Sequence, residues 1–309
     1  MKKFSMICLL AFLMASFMFV GCTQKKTRTF GFTSMRISNP FFALIEQTIR
    51  EEVEKNGDKL ISVDPDMDSQ KQISQIEELI AKKIDAIFIN PVDWEAIKPA
   101  LLSLNHAKIP VINYDAEVRD MELVSAYVGS DNRNAGYVCG LDLVRHFPNG
   151  GPIAVFDCAG MRSLRDRIDG FNEAIIGKGF TIVFLRDAQG NSPAAKIHTE
   201  EMIKSNIRVL AIMGGNDPTA LGALEACREA NRTNILIWGV DGSPLAKAEI
   251  AKRGQFAGSG AQSPISIAKE SVVVAYKILN KQPYEKMIPV KTFIINQDNI
   301  NDFDIDGWQ

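Results

Sequence analysis

The sequence predicts an α/β fold of two doubly wound parallel-sheet lobes, and three observations predict it. Short apolar runs rich in β-branched and aromatic residues alternate with helical patterns along the chain. Runs such as Ala86-Ile87-Phe88-Ile89 show little polar alternation, which marks strands buried on both faces of a parallel sheet. There are about ten such runs, more than the about five or six strands of a typical sheet. At about 150 residues per domain, a chain of 309 residues has room for about two domains, each with helices on both faces of its sheet.

Taken in order, the chain opens on an address. Lys2 and Lys3 precede an apolar run over 4–21, and 23–27 are polar, which is a secretory signal pattern. Phe19-Val20-Gly21-Cys22 resembles a bacterial lipobox, with Phe19 where Leu is usual. That resemblance implies a lipoprotein signal peptide over 1–21, lipidation of the Cys22 thiol, and a tether over 22–28. The chain would then be exported and held to the cell membrane by its lipid alone, facing the periplasm or cell exterior.

Strands follow at 29–33, 59–63, 86–89, 110–114, 125–128, 152–156, 181–185, 209–213 and 235–240, with a further segment at 256–260. Between them Ile73, Ile76 and Ile80 repeat at helical spacing, as do Leu221, Leu224 and Cys227. Helices are also predicted at 131–147, 162–178, 192–205 and 264–280. The best break is Gly129-Ser130-Asp131, where a strand ends and a helix opens. No Pro/Ser-rich linker marks it, so short crossings must join the lobes.

Composition narrows the class. At 46% hydrophobic and 23% charged, the chain is neither disordered nor fibrous. A net charge of −2 gives no electrostatic footprint for nucleic acid. Cys8 and Cys22 belong to the address, leaving Cys139, Cys158 and Cys227, an odd set with at least one free thiol. No Cys/His spacing suits a metal, and no cofactor is implied. Cys139 and Cys227 read as core fillers, whereas Cys158 ends a strand. Nothing suggests a coiled coil or repeat interface, so a monomer is expected.

In doubly wound sheets ligands bind beyond the carboxyl ends of the strands. Those ends carry Asn39, Phe41 and Phe42 after the first strand, Asn90 after the third, and Asp115 after the fourth. Asp157, Cys158 and Arg167 follow the sixth, Asn216 and Asp217 the eighth, Asp241 the ninth, and Gln262 the segment at 256–260. Asn90, Asp131 and Asp217 can be accounted for as helix caps alone. The set as a whole suits a small neutral sugar or polyol, because each hydroxyl both donates and accepts. Asp115 and Asp241 would accept, Arg167, Asn39, Asn216 and Gln262 would donate, and Phe41 or Phe42 would cover the C–H face. Met35, Cys158 and Gln189 are additional candidates at neighbouring strand ends.

Ser38-Asn39-Pro40-Phe41-Phe42 resembles a segment of the ribose-type sugar-binding proteins of ABC importers, the type I periplasmic binding fold. Similarity continues in order through Ala86–Pro91, Ile109–Asp115, Val128–Asn132 with Ala135-Gly136, Arg165–Phe171, Asn216–Ala223 and Gly239–Gly242. The resemblance implies ligand contacts at Asn39, Phe41, Phe42, Asp115, Arg167, Asn216, Asp241 and Gln262. It implies an N-terminal lobe of 29–129 plus 262–289 and a C-terminal lobe of 130–261 plus 290–309, closing on a three-strand hinge. It also implies a permease that recognises the closed form, with a separate ATPase. Two departures bear on the cargo: Ala116 stands where ribose binders carry Arg, and 187–190 lacks an aromatic. Met35 and Arg36 lie close enough to compensate.

Other classes fit less well. There is no nucleotide loop, GxSxG elbow or HExxH, so an enzyme is not expected; Asp115 and Asp241 acting on a glycoside is the remote alternative. A sensor subunit presenting sugar to a chemoreceptor or kinase would use the same site.

Overall fold

The computed structural model describes residues 27–158 and 160–309. The expected signal peptide over 1–21 and the expected lipidation site Cys22 lie outside the described residues. The first sheet is built from β1 (Thr29–Thr33), β2 (Lys59–Val63), β3 (Ala86–Ile89), β4 (Val111–Tyr114), β5 (Ala126–Ser130) and β11 (Met287–Val290), in the order β11-β5-β4-β3-β1-β2. All of its pairs are parallel. The second holds β6 (Gly151–Asp157), β7 (Phe180–Asp187), β8 (Ala211–Gly214), β9 (Leu236–Asp241), β10 (Phe256–Ala261) and β12 (Phe293–Asn296), in the order β12-β10-β9-β8-β6-β7. Only β12 runs antiparallel, against β10.

Nine helices connect these strands among the described residues: α1 (Pro40–Lys55), α2 (Ser69–Ala81), α3 (Lys98–His106), α4 (Asn132–His146), α5 (Arg162–Ile175), α6 (Ser192–Lys204), α7 (Asp217–Glu229), α8 (Pro244–Ala251) and α9 (Pro264–Leu279). Most start on a side-chain cap. Asn39, Asp68, Asp131, Asn191, Asn216, Ser243 and Ser263 each accept a backbone N–H of the first turn. Proline at the first helical position of α1, α8 and α9 needs no hydrogen-bond acceptor there.

Each sheet has an apolar core on both faces, the mark of double winding. On the first, Phe30, Phe32 and Phe88 pack with α1 and α9 on one side, and Ile87, Ile89 and Leu101 with α2 and α3 on the other. On the second, Phe156 and Ile212 face α6 and α7, while Ile153 and Val155 face α4 and α5.

β11 and β12 are additions to the sequence-predicted strands. They are only four residues long, and β11 contains Pro289. Proline is tolerated there because β11 is an edge strand. β7 is an edge too, which leaves Ile182, Val183 and Leu185 exposed rather than doubly buried.

The chain passes between the sheets three times: after β5, after β10, and between β11 and β12. The first and third crossings are tied together. Asp131 N–H donates to the Val290 carbonyl (2.9 Å), and Thr292 Oγ1 to the Asp131 carbonyl (3.0 Å).

Candidate functional site

The carboxyl ends of both sheets turn toward these crossings. From the first sheet comes Asp115, one residue past β4. Its backbone lies in the left-handed region at φ 60°, which Asp tolerates better than most residues. Three bonds hold it there. Its N–H donates to the Val128 carbonyl (2.9 Å), its carbonyl accepts from the Tyr127 hydroxyl (2.7 Å), and its carboxylate accepts from Asn90 Nδ2 (3.1 Å). Asn90 is therefore no helix cap but the side chain that orients Asp115. Its Oδ1 also accepts the Met35 N–H (3.4 Å).

Phe41 and Phe42 open α1 with their rings edge to face, centroids 5.4 Å apart. Both belong to the first core, and only about a tenth of each is exposed. Asn39 caps α1 through Oδ1 (3.0 Å to Phe41 N) and stands exposed.

From the second sheet come Asp241 and Arg167. Arg167 lies on α5, which crosses α4 so closely that a Cβ on Gly136 would overlap the Arg167 carbonyl, and one on Gly170 the Arg133 carbonyl. This glycine-only crossing seats the Arg167 guanidinium, itself 5% exposed, among three acceptors. They are Asn132 Oδ1 (2.8 Å), the Gly215 carbonyl (3.1 Å) and Asp241 Oδ1 (3.0 Å). Asp241 Oδ1 also accepts from Gln262 Nε2 (2.8 Å), so the second crossing meets the site here. Gln262 is buried, and no group among the described residues satisfies its Oε1.

Asp217 is the residue missed at this site. It does not cap α7; Asn216 does, accepting the Thr219 N–H (3.0 Å). Asp217 is fully buried and accepts from Ser259 Oγ (2.7 Å) and the Ser243 N–H (2.8 Å), bracing the turn that carries Asp241. Its N–H faces Asp241 Oδ2 at 3.4 Å. Neither spacing nor residue type separates such a brace from a cap in the sequence.

Electrostatics join the two sides. Burial pushes the Asp115 carboxyl up to about 6; Arg167 works against that shift and Asp241 adds to it across the cleft. Burial also raises Asp241, against the pull of Arg167. Burial, then Asp241, pushes Asp217 up to about 7. Two desolvated carboxylates, Asp115 and Asp241, thus share the pull of one guanidinium, and Asp217 lies behind them against Asp241.

The remaining candidates sit further out. Asn216 Nδ2 donates to the Gly190 carbonyl (2.9 Å), beside the exposed Gln189. Cys158 is buried, and burial raises its thiol pKa. Cys139, Cys158 and Cys227 are all free thiols. Arg36 pairs with Asp66 (2.7 Å) on the surface. At the cleft mouth Arg162 of the second lobe reaches Glu117 of the first (2.6 Å). No helix of the described residues is long and apolar enough to cross a membrane.

A cleft between two parallel-sheet lobes, lined at the strand ends by carboxylates, a guanidinium and amides, defines a two-lobed solute-binding protein. Residues 30–283 match the family model of the periplasmic binding protein domain, and the chain belongs to that family. It is 32% identical to the ribose import binding protein RbsB of Bacillus subtilis, over 86% of each chain. A solved ABC transporter periplasmic solute binding protein from Actinobacillus succinogenes with bound D-allose is 25% identical, with a TM-score of 0.82 over 90% of this chain and 100% of that one. The periplasmic binding protein of an arabinose ABC transporter from Shewanella, bound to L-arabinofuranose, is likewise 25% identical, with a TM-score of 0.80 over 89% and 93%.

Proposed function

We propose that this protein captures a monosaccharide or related polyol between its lobes and delivers it to the permease of an ABC importer. One observation carries the reading. Asp115 from one sheet and Asp241 from the other meet Arg167 and Gln262, whose Oε1 has no partner among the described residues, in a single cleft. Acceptors and donors side by side match hydroxyls, which do both, and ionised partners strengthen those bonds. Phe41 and Phe42, each left about a tenth exposed, offer aromatic surface of the kind that packs on a sugar's C–H face. The names of the relatives, which bind ribose, allose and arabinofuranose, support this class.

Asn39, Asn216, Met35, Cys158 and Gln189 form the outer rim in this proposal. The closing bodies are 29–129 plus 262–289 and 130–261 plus 290–309. Binding starts on one lobe, and closure adds the contacts of the other. Export, and a lipid anchor on Cys22, complete the proposal, with the protein acting as a monomer.

A thermal-shift screen of residues 27–309 against pentoses, hexoses, polyols and amino acids tests it. A ligand at 100 times its Kd adds about 2.7 kcal/mol, a shift of several degrees. One sugar is expected to give that shift, and Asp241→Asn to abolish it. A shift with an amino acid and with no sugar overturns the substrate class.

A further inference from the structure

After β12 and a 3-10 turn at Ile300–Asp302, residues 303–309 run from the second lobe back to the first. Three contacts set their path. The Lys247 ammonium on α8, 1% exposed, donates to the carbonyls of Asp304 (2.5 Å) and Gly307 (2.7 Å). A desolvated ammonium needs such acceptors. Gln309 Nε2 donates to the backbone carbonyls of Asp241 (3.2 Å) and Gln262, two residues whose side chains meet in the cleft. Between these anchors the Trp308 ring stands edge-on to Phe41, centroids 5.3 Å apart and planes at 75°, and packs on the first core.

We propose that Trp308 is a positioning and specificity-determining residue of the cleft, acting through Phe41. The inference rests on the cleft being a sugar site. Phe41 is the first aromatic after the Asn39 cap, and among the described residues its ring pairs with two others, Phe42 and Trp308. Edge-to-face pairs at this separation attract, so the two neighbours clamp Phe41 from two directions. Once the lobes close, the ring is held on both sides against the ligand, so closure brings an ordered aromatic surface to the bound sugar, which favours affinity through preorganisation of the closed form. Lys247 and Gln309 act on the same arrangement by holding Trp308 in place. Gln309 also ties the segment to the backbone that carries Asp241 and Gln262. Trp308 thus limits the space flanking Phe41, where a pentose and a hexose differ by one hydroxymethyl group.

The test titrates residues 27–309, wild type, Trp308→Ala and Trp308→Phe, with D-ribose, D-allose and L-arabinose by calorimetry. Trp308→Ala is expected to weaken the best of the three at least fivefold. It should also change the ratio between D-allose and D-ribose at least threefold, measured at a temperature where every variant is folded. Trp308→Phe, which keeps an aromatic edge, should recover most of the affinity. Unchanged affinity and ratio in Trp308→Ala, or a loss that Trp308→Phe does not recover, overturns the role of Trp308 and leaves the sugar site standing. Where wild-type protein binds none of the three, the titration is run with the sugar or polyol that the thermal-shift screen identifies, and a screen in which no sugar or polyol binds overturns this inference together with the reading beneath it.

Discussion

Replacing Arg167 by Met tests how the cleft holds its charges. Met preserves much of the apolar stem and removes the guanidinium. Asn132 Oδ1 and the Gly215 carbonyl then lose the guanidinium's bonds, and Asp241 Oδ1 keeps only that from Gln262. Arg167 is 5% exposed, so little water reaches those groups in its place. Breaking a buried ion pair from one side costs about 3–5 kcal/mol. In a chain of this size that is a fall of at least about 6 °C in Tm. The loss must also depend on pH. Arg167 is what opposes the burial-driven rise of Asp115 and Asp241. Without it both carboxyls hold their protons to higher pH in the folded state than in the unfolded chain. A folded pKa raised above the unfolded one is a contribution lost as pH rises. The penalty of Arg167→Met is therefore smaller at pH 5 than at pH 8. Urea denaturation of residues 27–309 at the two pH values reads it directly. A loss below about 1 kcal/mol, or an equal loss at both, refutes the reasoning.

Wild-type stability carries the same signature: the Asp115 contribution is present below the ordinary carboxylate range and fades as pH rises to about 6, and that of Asp217 fades toward about 7. Asp115→Asn should remove the first part of that slope in chemical denaturation, and a curve parallel to wild type would contradict it. Gly136→Ala forces α4 from α5 and should cost at least about 1–3 kcal/mol, with Gly170→Ala similar; a change below about 0.5 kcal/mol in either would show that the crossing is not close. Arg162→Gln removes the Glu117 pair at the cleft mouth. Such an exposed pair contributes about 0.2–1 kcal/mol, so ligand affinity should fall less than about fivefold, and the difference should shrink in high salt. A tenfold loss that survives salt would mean Arg162 touches the ligand.

The parallel sheets were legible because central strands such as β3 are buried on both faces, and continuous apolar runs have few other readings. The start of α4 was legible for a related reason, since Asp131 reads as a cap and is one, whereas Asn39 and Asn216, read as ligand donors, also cap α1 and α7. That double use is also why the site was harder to read. Asn90 and Asp217 resemble caps in sequence, yet one orients Asp115 and the other braces the Asp241 turn. Gly136 and Gly170 stood inside quoted motifs, but the close crossing they permit is a property of how two consecutive helices pack side by side, which residue spacing does not reveal. β11 carries Pro289, which argues against a strand unless its edge position is known, and β12 lies in the only antiparallel pairing among the described residues, outside the strand–helix alternation that exposed the others. Trp308 sits in a polar stretch after the last strand, and only the path set by Lys247 brings it to Phe41.

The most direct test of the central claim is isothermal titration calorimetry of residues 27–309 with D-ribose, D-allose and L-arabinose, beside Asp115→Asn and Asp241→Asn. One sugar should bind wild-type protein with a stoichiometry of about one per chain, and each variant should weaken it at least about tenfold, or about 1.4 kcal/mol. Binding that persists unchanged in both variants would contradict a site built from the two carboxylates at the ends of the two sheets.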